Sequence, residues 1–482
     1  MLYVQPVEEG LYASVVLPSL VIGTVGGGTH LPRQNELLAM IGCAGPGKAS
    51  RLAEIIAGFS LALDLSTLAA ITGGQFAAAH ERLGRSRPVH WFTRHDLTPE
   101  FFRPSARQAL GEHAEVVQVL FLEDRHSESS IITELMARKV EKLIGFIPAR
   151  LWCRGPGGAA RTLDVMVKVK PLDQEVLLMA TRLATMCGPR LATSYSRYRQ
   201  QTGIAGSHLR ELEVYRQTDP RFVRHVPVVH QLFRDDAREA YVLVLERLDG
   251  LELMDSADDP SGWRPEHLEA AVRGIAEVHA IWYGREAELR AQPWLGYVPG
   301  ASTMAEMREL WEDLAVHAAE EFPEWFSQAD LAVHRRLIEE IPDWWARIER
   351  MPRTLIHNDF NPRNLAFRRE QGGPCVVAYD WELATLHLPQ HDLAELLGYV
   401  LTPAAGADDV ARWVALHREC LARASGREVP EAEFNDGFRF ALYDLAVNRI
   451  ALSIAAHTFR HYAFMERLTR TLHHLIRLTS PA

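Results

Sequence analysis

The chain has 482 residues, 47% of them hydrophobic, and a formal net charge of −10 at pH 7. This length and hydrophobic content predict about two to four folded domains and exclude a disordered or fibrous protein. The acidic balance, with no run of lysine or arginine, argues against an electrostatic nucleic-acid binder.

The 5 cysteines are scattered along the chain without a C-x-x-C pair. This pattern indicates neither a disulfide framework nor a zinc site, and it fits a reducing cytoplasm. The first residues lack the basic region and apolar core of a signal peptide, and no uninterrupted apolar run is long enough to span a bilayer. We therefore expect a soluble, cytoplasmic protein with neither membrane nor nucleic-acid partners.

Residues 1–87 differ from the rest of the chain in being small, apolar and rich in glycine. Their patterns predict two strands, a glycine turn, two helices and a third apolar segment that is buried. These elements are expected at 11–17, 20–25, 26–29, 32–41, about 49–63 and 66–80.

Three motifs in this segment are specific: Gly-Thr-Val-Gly-Gly-Gly-Thr at 23–29, Gly-Pro-Gly-Lys-Ala at 45–49 and Ala-His-Glu at 79–81. Together with the residues around them, they resemble the C-terminal end of the catalytic domain of hydroxymethylglutaryl-CoA reductase. The resemblance implies an α/β segment in which His80 corresponds to the family histidine that protonates the departing CoA thiolate, a role suited to an imidazole.

The other parts of such a reductase are not found in this sequence. A nicotinamide-binding motif and the family's other catalytic segments are missing, and Asp64 stands where the family has a glutamate. One histidine supplies neither a nicotinamide nor a polarised thioester carbonyl, so we do not expect reductase activity from this chain alone. Either residues 1–87 complete a reductase-like partner that carries the missing parts and would then bind NADPH and CoA, or they are a structural remnant and His80 is an ordinary helix histidine. The same residues are also a candidate surface for a homo-oligomer.

Residues 84–88 are polar and interrupted by glycine and proline, which predicts a domain boundary followed by a linker at 88–115. The next patterns predict three strands, the last two joined by a glycine-rich hairpin turn. These strands are expected at 116–122, 146–154 and 162–169.

The third of these strands carries Lys168 and Lys170, which share one face because side chains alternate along a strand. We assign the binding of nucleotide phosphates to Lys168, since it lies deeper in the strand, and expect Lys170 to be a solvated edge residue. A lysine in that role needs a carboxylate to orient it. The helix predicted at 208–216 offers Glu211 and Glu213 for this pairing, although either is otherwise an ordinary solvated charge.

Residues 240–248 form an apolar run with a polar exit, typical of a buried strand that leads into a hinge. Backbone groups from Glu246 to Leu248 are candidates for pairing with an adenine edge. No G-x-G-x-x-G loop precedes them, so Ser129-Ser130 and the turn at 155–158 remain the alternatives for covering the phosphates.

The pattern H-x-D-x-x-x-x-N places His357, Asp359 and Asn364 in a polar loop between two short apolar runs, the second of which ends on Asp380. An aspartate can accept the proton of an attacking hydroxyl. An amide oxygen and a second carboxylate are hard ligands for Mg²⁺, which neutralises phosphate charge in phosphoryl transfer. The alternative is a polar hairpin loop with solvated acids.

This stretch resembles the catalytic loop and metal-binding aspartate of the aminoglycoside phosphotransferase, choline kinase and ecdysteroid kinase-like group, relatives of the protein kinases. The resemblance implies that Asp359 is the catalytic base and that His357 braces the loop. It further implies that Asn364 and Asp380 are the Mg²⁺ ligands and that Asp392 anchors the loop.

The same resemblance implies an α+β, bilobal protein-kinase-like fold with a β-rich N-lobe at 116–250 and a helical C-lobe at 251–482. It favours Glu211 over Glu213, because Glu211 begins an E-x-x-x-Y pattern. The leading hypothesis is ATP- and Mg²⁺-dependent phosphorylation of a hydroxyl on a small molecule. The alternatives are part of a hydroxymethylglutaryl-CoA reductase-type NADPH oxidoreductase and a non-catalytic kinase-like scaffold. The sequence does not identify the acceptor.

The C-lobe is predicted to be helical, with helices at about 304–319 and 329–348 and several between 409 and 478. His279 lies in a helical apolar stripe and is expected to be a core histidine. His387 and His391 have the spacing of a metal pair, but Pro389 between them argues against one.

Overall fold

The computed structural model describes residues 2–8, 10–73, 89–122, 142–155 and 158–480. The chain separates into two compact units, Met1–Val89 and His90–Ala482. The strands are β1 (Leu2–Val7), β2 (Gly10–Val15), β3 (Glu115–Phe121), β4 (Gly145–Arg154), β5 (Ala160–Val169), β6 (Val229–Asp235), β7 (Ala240–Glu246), β8 (Thr354–Ile356), β9 (Leu365–Glu370), β10 (Gly373–Ala378) and β11 (Thr385–His387).

The helices of the first unit and of the sheet region are α1 (Pro32–Met40), α2 (Ala49–Thr72), α3 (Arg103–Leu110), α4 (Asp173–Cys187), α5 (Pro189–Tyr198), α6 (Ser207–Val214) and α7 (Pro220–Val223). Those that follow β7 are α8 (Pro265–Trp282), α9 (Glu286–Arg290), α10 (Ala301–Glu306), α11 (Arg308–Glu321), α12 (Gln328–Glu339), α13 (Ile341–Arg350), α14 (Gln390–Val400), α15 (Ala407–Ser425), α16 (Glu431–Asp444), α17 (Ala451–His457) and α18 (Met465–Thr479).

In the first unit, β1 and β2 form an antiparallel hairpin with Leu2 opposite Val15. Strand β1 had not been predicted, whereas residues 20–25, predicted as a strand, form irregular structure and turns. Gly26, Gly27 and Gly28 follow with positive φ angles, a conformation that bends the chain and suits glycine alone.

Helix α2 is continuous where two separate segments were predicted, and none of its side chains is buried. Phe59 and Leu63 are among its most exposed apolar side chains. By length and composition alone, this helix is able to cross a bilayer, which corrects the expectation that no apolar run is long enough. An apolar helical stripe predicts burial only where the same unit supplies a surface to cover it.

The second unit contains a five-stranded antiparallel sheet with the strand order β3-β4-β5-β7-β6. The three strands predicted in this region are present, and β4 pairs with β5 along its whole length. Val165, Val167 and Val169 of β5 are buried in one core, so the even-numbered residues take the opposite face of the sheet.

Residues 90–115 do not form the predicted linker. They contain α3, and Phe92 and Phe102 are buried together with the valines of β5 in one hydrophobic core. Arg238 after β6 adds an ion pair of 2.8 Å to Asp96. This correction arises because α3 has only eight residues, too few for a periodic apolar pattern to be distinguished from a loop.

The larger core is formed mainly by the helices that follow β7, together with two short antiparallel pairs, β8–β11 and β9–β10. Each of the two long helices predicted first in this lobe is divided in two, at Met307 and at Glu340. Pro342 explains the second break, because proline is accommodated in the first turn of a helix but not inside one. A small sheet lobe and a large helical lobe confirm the predicted α+β, kinase-like fold class.

The Phe102→Ala substitution is expected to lower the free energy of unfolding by about 3–5 kcal/mol, because it removes a fully buried ring from the core beneath the sheet. The measurement is urea unfolding of the whole chain. Val117→Ala on β3 is the control, since Val117 is 56% exposed and its truncation should cost less than about 1 kcal/mol. Indistinguishable unfolding of Phe102→Ala and wild type would contradict the packing of residues 90–115 on the sheet.

Candidate active site

The loop between β8 and β9 holds Asp359 at the centre of a hydrogen-bond network. Asn361 donates from Nδ2 to Oδ1 of Asp359 at 2.9 Å, and Asn364 donates from Nδ2 to Oδ2 at 2.7 Å. His357 donates from Nε2 to the carbonyl of Tyr379 at 2.9 Å, which ties the loop to the end of β10. The structure therefore brings His357, Asp359 and Asn364 together, and it holds both carboxylate oxygens of Asp359 by amide donors.

Asp392 on α14 anchors this loop from the helical lobe. Its carboxylate accepts the backbone amides of His357 and Asn358 at 2.7 and 2.8 Å, and it also accepts Nε2 of His279 at 2.9 Å. Burial opposes the charged form, but the hydrogen bond and charge of His279 outweigh it, so the pKa of Asp392 is lowered. Asn358 has a φ of 61°, a left-handed conformation that asparagine tolerates better than most residues.

The end of β10 brings Asp380 to the sheet lobe. Lys168 donates from Nζ to Oδ1 of Asp380 at 2.7 Å and to Oε1 of Glu211 on α6 at 2.8 Å. Burial lowers the pKa of Lys168, but the two carboxylates outweigh it and raise that pKa well above its usual value. Burial likewise favours the neutral form of Asp380, yet the neighbouring lysines lower its pKa. Lys168 and Asp380 are therefore both charged at neutral pH.

Lys170 was predicted to be a solvated edge residue, and the structure corrects this. It is buried and donates from Nζ to Oε2 of Glu211 at 2.7 Å and to Glu382. Strand alternation places both lysines on one face but does not give the depth of either. Carboxylate oxygens of Glu211, Asp380 and Glu382 lie within 4.8 Å of one another, with the two lysine ammonium groups bonded to them.

Asn364 and Asp380 are suited to hold Mg²⁺. The amide nitrogen of Asn364 is used by Asp359, so its amide oxygen is the atom left for a metal ion. The Tyr379 amide donates to the Asn364 carbonyl at 3.0 Å, which keeps the two ligand-bearing segments adjacent. One amide oxygen and one carboxylate form the hard oxygen set that Mg²⁺ prefers, and they leave room for water and phosphate ligands.

The hinge residues are partly engaged within the protein. The Glu246 amide donates to the Val228 carbonyl at 2.8 Å, and the Glu246 carboxylate pairs with Arg368. The Glu246 amide is therefore already used, and pairing of an adenine edge with the other backbone groups from Glu246 to Leu248, of which Leu248 is the candidate, stays a prediction.

Arg449 and Glu395 belong to the site and were missed in the sequence. Arg449 lies in a π-helical turn, Leu445–Ile450, and donates from Nη2 to Oδ1 of Asp359 at 3.0 Å. Glu395 on α14 accepts the Phe360 amide at 2.9 Å. The available signal was a single arginine within an apolar helical run, since such a charge is rarely buried without a partner. π-helical turns are frequent at functional sites.

A cavity of about 220 Å³ opens on these polar groups. Asp359, Asn364, Asp380 and Arg449 line one side of it, and most of its other lining residues are apolar. The predicted base and both predicted metal ligands therefore line one cavity.

The remaining residues singled out in the sequence are not found at this site in the part of the chain that the structure describes. His80, Ser129 and Ser130 are outside the described residues. The histidine pair His387 and His391 is buried away from Asp359 and approaches Asp444, with Nε2 of each ring 3.6 and 3.3 Å from Oδ2.

Residues 1–85 match the family model of hydroxymethylglutaryl-coenzyme A reductase. The chain is 60% identical over 82 residues to the reductase of Aeropyrum pernix, a match that covers 16% of this chain and 20% of that protein. It is 50% identical over 78 residues to the reductase of Methanocaldococcus jannaschii, covering 16% and 19%. The chain thus spans about a fifth of the length of the curated reductases it matches.

Residues 197–428 match the family model of the phosphotransferase enzyme family. Among solved structures, the chain is similar to an ethanolamine kinase of Plasmodium vivax, with 11% identity, a TM-score of 0.40 and coverage of 75% of this chain and 83% of that one. It is also similar to an aminoglycoside phosphotransferase of Streptomyces rimosus, with 15% identity, a TM-score of 0.31 and coverage of 64% and 89%. Both resemblances expected from the sequence are therefore confirmed: one chain carries a segment that matches the hydroxymethylglutaryl-CoA reductase family model, followed by a region that matches the phosphotransferase enzyme family model.

Proposed function

We propose that the second unit is an ATP- and Mg²⁺-dependent phosphotransferase that phosphorylates a hydroxyl of a small molecule. The observation that carries the proposal is the position of Lys168, which bonds to both Glu211 and Asp380 while Asp380 shares a cavity with Asp359 and Asn364. A phosphate-binding lysine, its orienting carboxylate, a base and two metal ligands are the parts that phosphoryl transfer requires.

In this mechanism Asp359 accepts the proton of the acceptor hydroxyl. The bond between that oxygen and the γ-phosphorus forms as the bond from phosphorus to the β–γ bridging oxygen breaks, which releases ADP. Asn361 and Asn364 fix the orientation of the Asp359 carboxylate, and Arg449 holds it from the π-helical turn Leu445–Ile450. Positioning of this kind supplies a large part of the rate in an in-line transfer.

Lys168 holds the nucleotide phosphates, and Glu211 fixes the direction of the lysine ammonium. Asn364 and Asp380 hold Mg²⁺, which when bound neutralises charge on the phosphate oxygens. The Leu248 backbone pairs with the adenine edge. His357 and Asp392 act through the loop geometry, because both bond to backbone groups of the segments that carry Asp359 and Asp380.

The Asp359→Asn substitution is expected to lower kcat by about 10²–10⁴-fold, because an amide cannot accept the hydroxyl proton. ADP release in the presence of a hydroxyl-compound panel measures turnover, and a fluorescent ATP analogue measures nucleotide binding, which should be retained. Asp408→Asn is the matched control, since Asp408 is exposed on α15. Nucleotide binding absent from wild type, together with equal inactivity of wild type and Asp380→Ala, would contradict the proposed function.

Glu395 supports the loop that carries Asp359, and the protonation state of its carboxyl group depends on pH. It accepts Nδ2 of Asn361 at 3.2 Å as well as the Phe360 amide. Burial and the nearby charge of Asp359 raise the pKa of Glu395 to about 7. The folded protein therefore retains this proton between the ordinary glutamate pKa of 4.5 and about 7, whereas the unfolded chain loses it.

Because the unfolded state ionises first, the contribution of Glu395 to stability is full below about pH 4.5 and is lost as the pH rises through about 7. The Glu395→Gln variant, which stays neutral, should gain stability relative to wild type between about pH 5 and pH 8, by roughly 2 kcal/mol. Urea unfolding of both proteins at the two pH values measures this difference. A difference that is constant with pH would show that Glu395 titrates normally.

As a second function, we infer that residues 1–85 complete a reductase-type oxidoreductase when another chain brings the nicotinamide-binding and catalytic parts. Supporting this are the 60% identity over 82 residues and the exposed apolar side chains of α2. NADPH and CoA would then be bound by the completed assembly, with His80 as the proton donor to the thiolate. The partner in this assembly is a reductase-like protein that carries the parts missing from this chain.

The purified chain alone is expected to oxidise no NADPH when hydroxymethylglutaryl-CoA is added, since the segment holds one histidine of a larger catalytic set. Nicotinamide absorbance measures this reaction. Turnover by the chain alone that disappears in His80→Ala would overturn the need for a reductase-like partner.

A further inference from the structure

The cavity that contains Asp359 has a continuous apolar wall. Five residues of α4 line it at helical spacing, so they form one face of that helix. Further apolar residues from α5 and α17 and from the segment before α18 close the volume. Examples are Leu191 of α5, Leu452 of α17 and Phe464 before α18, while Tyr195, Thr202 and Ser453 add hydroxyl groups to the same cavity.

The predicted base and a predicted metal ligand line the same cavity as these apolar side chains. Asp359 and Asn364 line the cavity, whereas the hinge residues Glu246 and Leu248 do not. The apolar volume therefore adjoins the base without including the predicted adenine position. A molecule bound there would present its hydroxyl to Asp359 and its body to the side chains of α4, α5 and α17.

The cavity has no carboxylate left to receive a cationic acceptor among the described residues that line it. Each of its three acidic side chains already pairs with a basic group. The pairs are Asp359 with Arg449, Asp380 with Lys168, and Glu382 with Lys170.

Phe464, which lines the cavity together with Tyr195 and Tyr399, is not free to replace that missing carboxylate. An ammonium group is otherwise held over aromatic faces. The guanidinium of Arg363 lies 5.8 Å from the ring centroid of Phe464, so this ring already has a cation over it. Choline, ethanolamine and aminoglycosides all carry an ammonium group, and desolvating that group against the α4 face would be unfavourable.

We propose that the acceptor is an uncharged, largely apolar primary alcohol whose hydrocarbon body lies against α4, α5 and α17. This inference rests on the proposed phosphotransferase function and adds the class of its substrate. The hydroxyl oxygen forms the new bond to phosphorus, its proton passes to Asp359, and the products are an alkyl phosphate and ADP. Burial of methylene groups in the cavity supplies the binding energy that charge pairing supplies for a cationic acceptor.

The test is a chain-length series of n-butanol, n-hexanol and n-octanol beside choline, ethanolamine, glucosamine and kanamycin, with ATP and Mg²⁺ and the full chain. For the alcohols, kcat/KM is expected to rise about fourfold per added methylene, the affinity increment of burying one methylene group. Phosphorylated product is identified by mass spectrometry. The three amino compounds and choline are expected to show no product above the Asp359→Asn background.

Two substitutions on α4 test whether the rise of kcat/KM with alcohol chain length depends on the cavity-facing side of this helix. Ala180→Trp fills the cavity and should abolish the rise of kcat/KM with chain length, whereas Leu178→Trp should leave it unchanged, because Leu178 is on the exposed side of the same helix. Ala180→Leu makes a smaller change and should shift the optimum to a shorter alcohol, so the test stands if the tryptophan variant does not fold.

The outcomes distinguish failure of the apolar-acceptor proposal from failure of the proposed phosphotransferase function. Asp359-dependent phosphorylation of an amino compound in preference to the alcohols would overturn the apolar acceptor and leave the phosphotransferase intact. The same holds if kcat/KM does not change with chain length or if Ala180→Trp and Leu178→Trp behave alike. Loss of the phosphotransferase itself is seen separately, as wild type that binds no ATP.

Discussion

The ion cluster around Lys168 is the interaction on which the candidate site depends. Its lysine comes from β5, Glu211 from α6 and Asp380 from the end of β10, and all three are buried. An isolated buried ion costs several kcal/mol, so each of these charges is tolerable only because the others are present. The sheet lobe and the catalytic loop must therefore form together, since neither alone can neutralise its own buried charges. The left-handed Asp380, with a φ of 66°, is a strained conformation that this surrounding structure retains.

A second set of buried acids supports the loop from the helical lobe. Asp392 and Glu395 are three residues apart on α14 and so lie on the same face of that helix. Between them they accept the backbone amides of His357, Asn358 and Phe360. One helix face thus fixes the backbone on both sides of Asp359, which explains how a loop holds its carboxylate without regular secondary structure. These backbone donors would be unsatisfied and buried if α14 were displaced.

The chemistry of the loop between β8 and β9 could be predicted from the sequence, because its residues follow the ordered pattern H-x-D-x-x-x-x-N. Lys168 was also accessible, since alternation along β5 gave its face and Glu211 fell on the next strong helix. The burial of Lys170 could not be predicted from the sequence. Lys170 shares one face of β5 with Lys168, and its burial depends on other elements that pack against that face. Arg449 lies 90 residues after Asp359, and its approach depends on a π-helical turn, for which the sequence has no dependable signal. Residues 90–115 were misjudged for a related reason, because α3 is too short for periodicity to register.

The two long apolar stripes of the chain, on α2 and on α4, show why periodicity alone does not give function. Both have the spacing of a helix that packs on one side. In the first unit no residue of α2 is buried among the part of the chain that the structure describes, whereas in the second unit the face of α4 lines a cavity that Asp359 also lines. The same sequence signal therefore corresponds to a surface without a partner in one case and to a wall of the candidate active site in the other. What distinguishes them is the set of elements brought opposite each helix, and for α4 that set, from Asp359 to Arg449, comes entirely from the second unit. All the residues named for the candidate phosphotransferase site accordingly belong to the unit His90–Ala482.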